Sequence, residues 1–224
     1  MAPFGASRAG LMSVAADDIP DSVEYHFPSE NLSSNTWAEE LKGEDLTGDF
    51  AVNSDAINGF AGFEMDGTAS NDNIVISEPV TVITTFEFNE DDRGGYWRHD
   101  ASTSSPDFFG IRKRENEELQ YFKGDTGNTH SNQYNLGESG VLTTIWRSDQ
   151  VIARLNGVEV ANDTDSDFED QDTLDGFLMG ESPAGEGGFS NDYVSEISII
   201  DGDDMQDDDI EAEENRQMDK FGIE

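Results

Sequence analysis

The sequence predicts an all-β fold, built as an antiparallel sandwich or barrel. Three observations carry that expectation. Short runs rich in β-branched and aromatic residues recur along the chain. Clusters of Gly, Asn, Asp, Ser and Pro, the residues of turns, separate them. One Asn-Gly pair, in VIARLNGVEVAND, sits between two alternating apolar runs. Many short strands with regular turn signals close into a sandwich or barrel, where each strand can bury a face.

Taken in order, Val23 to Phe27 alternates and stops at Pro28. Residues 74–76 and 80–88 are dense in Val, Ile, Thr and Phe. Residues 108–112 and 119–122 form a hairpin across Glu115, Asn116 and Glu117, and residues 141–146 lead into the Asn-Gly stretch. There, Val151, Ala153 and Leu155 share one face, with Val158 and Val160 across Asn156 and Gly157. A two-residue type I′ turn needs positive φ at both central positions, and Asn and Gly tolerate it best. Residues 176–180 and 193–200 complete the strands. One helix is expected, Ile210 to Phe221, with Asp207, Asp208 and Asp209 as cap and dipole partner and Gly222 at its end. Its apolar stripe is thin (Ile210, Met218, Phe221), so it is expected on the sandwich edge along a narrow seam. No internal repeat is visible.

The chain has 224 residues, fitting one domain of the sandwich or barrel type or at most two small ones. It carries 50 Asp and Glu against 12 Lys and Arg, four of them lysine, for a formal charge of −38. The apolar share of 34%, with 14 Phe and 3 Trp, is enough for a core, so a folded chain is expected. The acid is spread along the chain and lysine is scarce, the habit of proteins from high-salt cells. Self-repulsion of this size predicts loss of structure below roughly 1 M salt, where the Debye length rises above about 3 Å. The alternative, an acidic calcium-storage protein, would hold its acid in blocks. Basic-patch binding to nucleic acid is excluded. Without Cys there is no disulfide or thiol chemistry. No apolar run approaches a membrane span. The N-terminal segment mimics a secretion leader only weakly, since its apolar run is short and broken. Lacking a helix or strand period, residues 1–22 are expected to be an arm docked on a neighbouring subunit, through Pro3, Phe4, Arg8, Leu11 and Met12. An intramolecular strand is the alternative.

Several stretches together resemble a laminin-G-like domain of the concanavalin A-like superfamily. Phe63 to Gly67 followed by Asn71 to Ile76 resembles its early Phe-Asp-Gly…Asp-Tyr strand pair. Thr144 to Trp146, then Ala153 to Val160, resembles its Leu-Tyr-Val-Asn-Gly-Val hairpin; Phe177 to Gly180 resembles its Ile-Gly strand, and Val194 to Asp201 its Ile-x-Glu-Val strand. Residues 210–223 are similar to the closing helix of laminin-G-like domains in viral structural proteins, of the kind found in tailed viruses of haloarchaea. The resemblance spans roughly residues 23–223, departs at Ile200, where an aromatic is usual, and leaves residues 89–140 unmatched. It implies a two-sheet antiparallel jelly-roll sandwich over residues 23–205, with an extended N-terminal arm and a short C-terminal helix over residues 206–224. It also implies binding of glycans or proteins through loops, and in some members calcium.

Candidate sites follow. Glycan recognition calls for an exposed aromatic platform beside polar groups. The best clusters hold Tyr96, Trp97, Arg98 and His99, and then Tyr121 to Tyr134. The plainer reading puts Trp97 and Tyr121 in the core, on alternating strands. Asp163, Asp165 and Asp167 alternate and offer oxygens to Ca2+, without the Gly and Glu of an EF-hand loop; Asp201 to Asp204 is a second candidate. In so acidic a chain such runs read first as hydrated surface. His26, His99 and His130 lack zinc spacing, and each reads as solvated or hydrogen-bonded. Glu64 and Asp66 begin the Glu-x-Asp-x-x-Glu pattern of the superfamily's glycosidases, but position 69 is Ala and Asp66-Gly67 reads as a turn.

Two functions are therefore expected. The first is a non-enzymatic structural or adhesion protein on the virion surface of a halophilic archaeal virus, a head decoration or tail component. It would assemble as a homo-oligomer with other virion proteins through its arm and recognise host surface glycans. The alternative is a carbohydrate-binding module of a halophilic cell-surface protein. A glycosidase is the third reading.

Overall fold

A computed structural model describes residues 19–99, 109–123, 126–164, 174–180, 192–202 and 206–224. The arm residues Pro3, Phe4, Arg8, Leu11 and Met12 lie outside these. The strands in chain order are β1 (Val23–Phe27), β2 (Leu32–Ser33), β3 (Thr36–Trp37), β4 (Leu46–Asp49), β5 (Val52–Ile57), β6 (Phe60–Glu64), β7 (Thr68–Ile76), β8 (Val80–Glu87) and β9 (Gly94–His99). They continue as β10 (Phe109–Arg114), β11 (Glu118–Lys123), β12 (Thr126–His130), β13 (Ser139–Arg147), β14 (Gln150–Leu155), β15 (Val158–Thr164), β16 (Leu174–Met179) and β17 (Tyr193–Asp201). Among the described residues one α-helix, α1 (Asp207–Phe221), follows, and a single 3-10 turn covers Ser29–Asn31.

The strands make two antiparallel sheets, a jelly-roll sandwich closed by one helix, as expected. Sheet A runs β15-β14-β13-β8-β17-β6-β5, with β1 alongside the second half of β17. Sheet B runs β12-β11-β10-β9-β16-β7-β4-β3-β2. The core lies between them. Val82, Phe86, Leu142, Trp146 and Ile197 point inward from sheet A to meet Trp97, Ile111, Tyr121 and Phe177 of sheet B. The β6 and β7 segments, likened above to a strand pair, are consecutive in sequence but lie in different sheets. Among the described residues no helix is long and apolar enough to cross a membrane.

The Asn-Gly hairpin forms as its turn chemistry requires. Leu155 pairs with Val158, and Asn156 and Gly157 take φ of 48° and 75°. A second such turn, Asn58-Gly59 at φ of 50° and 91°, joins β5 to β6.

Helix α1 departs from expectation in two ways. Its N-cap is Gln206, without a side-chain cap bond, and Asp207, Asp208 and Asp209 form the first turn, where they still favour the dipole. Gly222, at φ 65°, ends it as expected. The helix also does not sit on the edge: it crosses the outer face of sheet A over β8, β13 and β17. This is why those three strands are buried on both faces along most of their length. Ile83, Val141, Ile145 and Ile200 cluster with Ile210 of the first turn and Met218 of the last, and Ile57, Phe60 and Tyr193 cluster with Phe221 at the C-terminal end.

Besides these apolar contacts the helix docks through charge. A register shift between Val194 and Glu196 inserts Ser195 as an extra residue, which turns Glu196 from the core toward the helix. Glu196 then meets His26 Nε2 at 3.0 Å, Arg216 and Lys220. Arg216 also bonds both oxygens of Glu213 at 2.6 Å, and Ser198 Oγ donates to Glu213 at 2.6 Å. The carboxylates of Glu196 and Glu213 are fully buried. Burial raises a carboxyl's pKa, but here His26, Arg216 and Lys220 outweigh it and hold Glu196 at about 2, below its ordinary 4.5. Folding therefore favours the charged form. That stabilisation is whole above pH 4.5 and drains as pH falls through about 2. Measured by urea unfolding, the wild-type margin over Glu196→Gln should be constant above pH 4.5 and shrink steadily toward pH 2. A margin independent of pH would contradict this placement of Glu196.

Candidate functional site: the outer face of sheet B

The described rings proposed from sequence as a glycan platform are in the core. Tyr96, Trp97, Tyr121 and Tyr134 are 0%, 0%, 1% and 3% exposed. The reason is local. Gly95 pairs with Arg112 and Trp97 with Ile111, so Tyr96 is an extra residue in β9. This β-bulge turns two successive rings inward, against the alternation that would expose one of them. Tyr96 reaches Thr84 Oγ1 at 2.6 Å, while Trp97 stacks on Phe177 at 5.6 Å and meets Trp146 edge-on at 6.0 Å. Tyr121 Oη donates to Gln133 Oε1 at 2.9 Å, and Tyr134 Oη to Arg114 O at 3.1 Å. Of that set, Arg98 lies on the side of sheet B away from the core but is itself buried, 5% exposed, and the His99 side chain lies outside the described residues.

The other candidates also find structural partners. His130 Nε2 sits 2.8 Å from Asp163, tying the edge strand β12 of sheet B to β15 of sheet A; Asp165 and Asp167 lie outside the described residues. Asp201 accepts the Ser77 amide at 2.8 Å, while Asp203 and Asp204 are outside the described residues. His26 bridges Glu40 and Glu196 at 3.0 Å each. His26, Glu196 and Glu213 bring potential ligand atoms within 4.8 Å of one another, but the Arg216 guanidinium already bonds both carboxylates there. Glu64 ends β6 and Asp66 falls in the turn after it, so the two do not share a strand face. Three of the four lysines are clamps: Lys113 on buried Asp192, Lys123 on Glu78 and two carbonyls, Lys220 on Glu196 and Glu30.

A different surface stands out. Register pairs place Thr47, Ser70, Leu178, Arg98, Gly110, Phe122 and Gly127 in one row across sheet B. Side chains of one register row share a face. Their neighbours along the strands, Trp97, Ile111, Tyr121 and Met179, fill the core, so this row faces outward. The next row holds Gly95, Arg112, Gln120 and Thr129. Neither row contains an acid, in a chain with 50 of them.

Glycines shape this face. A Cβ on Gly127 would lie 2.6 Å from the Phe122 ring, so the ring lies across Gly127 because that position has no side chain. A Cβ on Gly110 would lie 2.6 Å from Trp97 O and 2.8 Å from Arg98 Cβ. The Arg112 guanidinium stands 5.1 Å from the centre of the half-buried Phe122 ring. Arg112 Nη2 donates to Gln120 Oε1 at 2.6 Å and Arg114 Nη1 to the same oxygen at 3.2 Å, while Gln120 Nε2 donates to Gly127 O at 3.3 Å. Arg114 also lines a small polar cleft with Arg93, Glu115, Asn116 and Glu118. The result is a ring, guanidinium groups and an amide held in fixed relation on one face of sheet B.

By class the chain is a two-sheet antiparallel jelly-roll sandwich. No family model matches the chain, and no curated protein matches it. Solved structures do. Trypanosoma rangeli sialidase superposes with a TM-score of 0.65 at 10% identity, over 88% of this chain and 33% of that one. Domain 4 of AbnA, a GH43 extracellular arabinanase from Geobacillus stearothermophilus solved in complex with arabinotriose, gives 0.59 at 13%, over 80% of this chain and 92% of that domain. The binding domain of botulinum neurotoxin serotype D gives 0.65 at 12%, over 90% and 52%. At these identities the likeness is one of fold. This chain spans about a third of the sialidase, which makes the sialidase's own activity no guide to it.

Proposed function

We propose that this protein is a non-catalytic carbohydrate-binding β-sandwich that engages saccharide on the outer face of sheet B. The observation that carries the reading is the acid-free double row with Phe122 laid across Gly127 and flanked by Arg112 and Gln120. An aromatic ring takes the apolar face of a pyranose, and amide and guanidinium donors beside it take the hydroxyls. The arabinotriose complex of the arabinanase domain, most of whose length this chain matches, supports the same use of the fold. None of the three neighbours named above is viral or archaeal. Of the two functions expected from sequence, carbohydrate binding is thus the one this surface favours. A place on a virion, with assembly through residues 1–22, rests on the sequence expectations of a single sandwich, an N-terminal arm and the closing-helix resemblance.

Screening the protein on a panel of immobilised neutral, carboxylated and sulfated oligosaccharides tests the reading. At least one class should bind. Phe122→Ala should weaken that binding roughly tenfold or more, about 1.4 kcal/mol, with the unfolding midpoint unchanged. No binding on the panel, or wild-type affinity in Phe122→Ala, would overturn it.

A further inference from the structure

We propose that Lys113 and Asp192 condense into an amide, a covalent bond between their side chains that ties sheet B to sheet A. Lys113 lies on β10 of sheet B, and Asp192 immediately precedes β17 of sheet A. Lys113 Nζ is ion-paired with Asp192 Oδ2, and neither side chain has any exposed surface. The Phe88 ring stands 5.1 Å from Nζ, and Tyr134 packs edge-on against that ring at 4.9 Å. An ion pair enclosed in this way has lost its hydration, whereas an amide in its place carries no charge to hydrate.

Amide formation needs a free amine and a protonated acid. An ammonium has no lone pair to attack with, and a carboxylate is a poor electrophile. Burial works toward both requirements. It pushes the Lys113 ammonium below its ordinary pKa and the Asp192 carboxyl above its own, outweighing the attraction between them. A proton passing from Nζ to Oδ2 gives the reactive pair. Nζ then attacks Cγ, the Nζ–Cγ bond forms and the Cγ–Oδ2 bond breaks. Oδ2 leaves as water, with its own proton and one more from Nζ, and Oδ1 stays as the amide oxygen. The backbone N–H groups of Asn89 and Glu90 donate to Oδ1 at 2.7 and 3.2 Å. Negative charge growing on Oδ1 in the tetrahedral intermediate therefore meets donors already in place. The carboxylates of Glu90 and Asp92 act on the Lys113 charge, and either can carry the proton. Two groups held in contact react at effective concentrations of about 10⁵–10⁸ M, so no further reactant is needed.

Lys123 is the internal contrast. Glu78 and the carbonyls of Arg147 and Ser148 surround its Nζ with three oxygens, which match the three N–H donors of an ammonium. The Lys113–Asp192 bond would join positions 79 residues apart and hold the two sheets together against the self-repulsion of a chain at −38.

The test is the intact mass of the full chain under denaturing conditions. It should fall short of the sequence mass by one water. Proteolysis should yield one linked species joining the peptide with Lys113 to the peptide with Asp192, identified by tandem mass spectrometry. Lys113→Met and Asp192→Ala should each restore the full mass. Because either variant can fail to fold, the linked peptide from the wild type carries the assignment. A cyclic imide at an Asp-Gly step loses the same mass, but alkaline hydroxylamine cleaves an imide and leaves the amide intact. A wild-type chain of full mass, a water loss without the linked peptide, or one that survives Lys113→Met would overturn the bond. Carbohydrate binding is untouched by any of these results.

Discussion

Arg216→Met is expected to cost about 3–5 kcal/mol and to release α1 from sheet A, because it strands the buried Glu213 carboxylate and removes one cationic partner of buried Glu196. Glu196 and Glu213 have no exposed side-chain surface, and Arg216 bonds both. A buried pair is weak evidence of net stabilisation, but removing one partner leaves a charge in a medium that cannot solvate it. Lys220 remains on Glu196, whereas Glu213 keeps only the neutral donors Ser198 and Gln217. Urea unfolding should show the loss, and amide exchange across Asp207–Phe221 should accelerate toward that of a frayed segment. Changing Arg216, Glu196 and Glu213 together to apolar residues of similar size should recover much of the stability. A single Arg216→Met variant with wild-type stability would show that the apolar contacts of Ile210 and Phe221 suffice to dock the helix.

Trp97→Ala is the second large effect, expected to cost about 3–5 kcal/mol. For a chain of this length that corresponds to a fall of roughly 6–20 °C in Tm. Trp97 is fully buried between Phe177 and Trp146, so its removal opens a cavity among rings that cannot close over it. The contrast with Phe122→Ala is diagnostic. Phe122 lies on the outer face, and its loss should reduce binding without moving Tm, while Trp97→Ala should lower Tm first. Thermal unfolding of the two variants side by side separates them. A Trp97→Ala protein that melts with the wild type would place that ring outside the core.

Much of the fold was legible because the central strands obey simple rules. The β-branched run from Val80, the Val141 to Trp146 run and the Asn156-Gly157 turn each specify their local structure, and each appears as expected. Asn58-Gly59 carries the same turn chemistry and went unread, because the run before it, Val52 to Ile57, lacks alternation strong enough to flag a strand. The binding face was less legible. The stretch from Tyr121 to Tyr134 drew notice for its tyrosines and passed over Phe122, the ring that points outward. The absence of acid from Arg112, Gln120 and Thr129 is visible only once register brings three strands together.

By itself, the sequence determined the all-β class, the Asn-Gly hairpin, the closing helix with its Gly222 cap and a formal net charge of −38, since each depends on local conformation or on composition. The tertiary structure alone decided which rings face water and which acids are buried. Two bulges settle it, at Tyr96 and at Ser195, each an extra residue that reverses the alternation beyond it. One sends Tyr96 and Trp97 together into the core, and the other sends Glu196 out under α1. A bulge depends on the partner strand's register, a long-range relation that no local pattern of residues encodes.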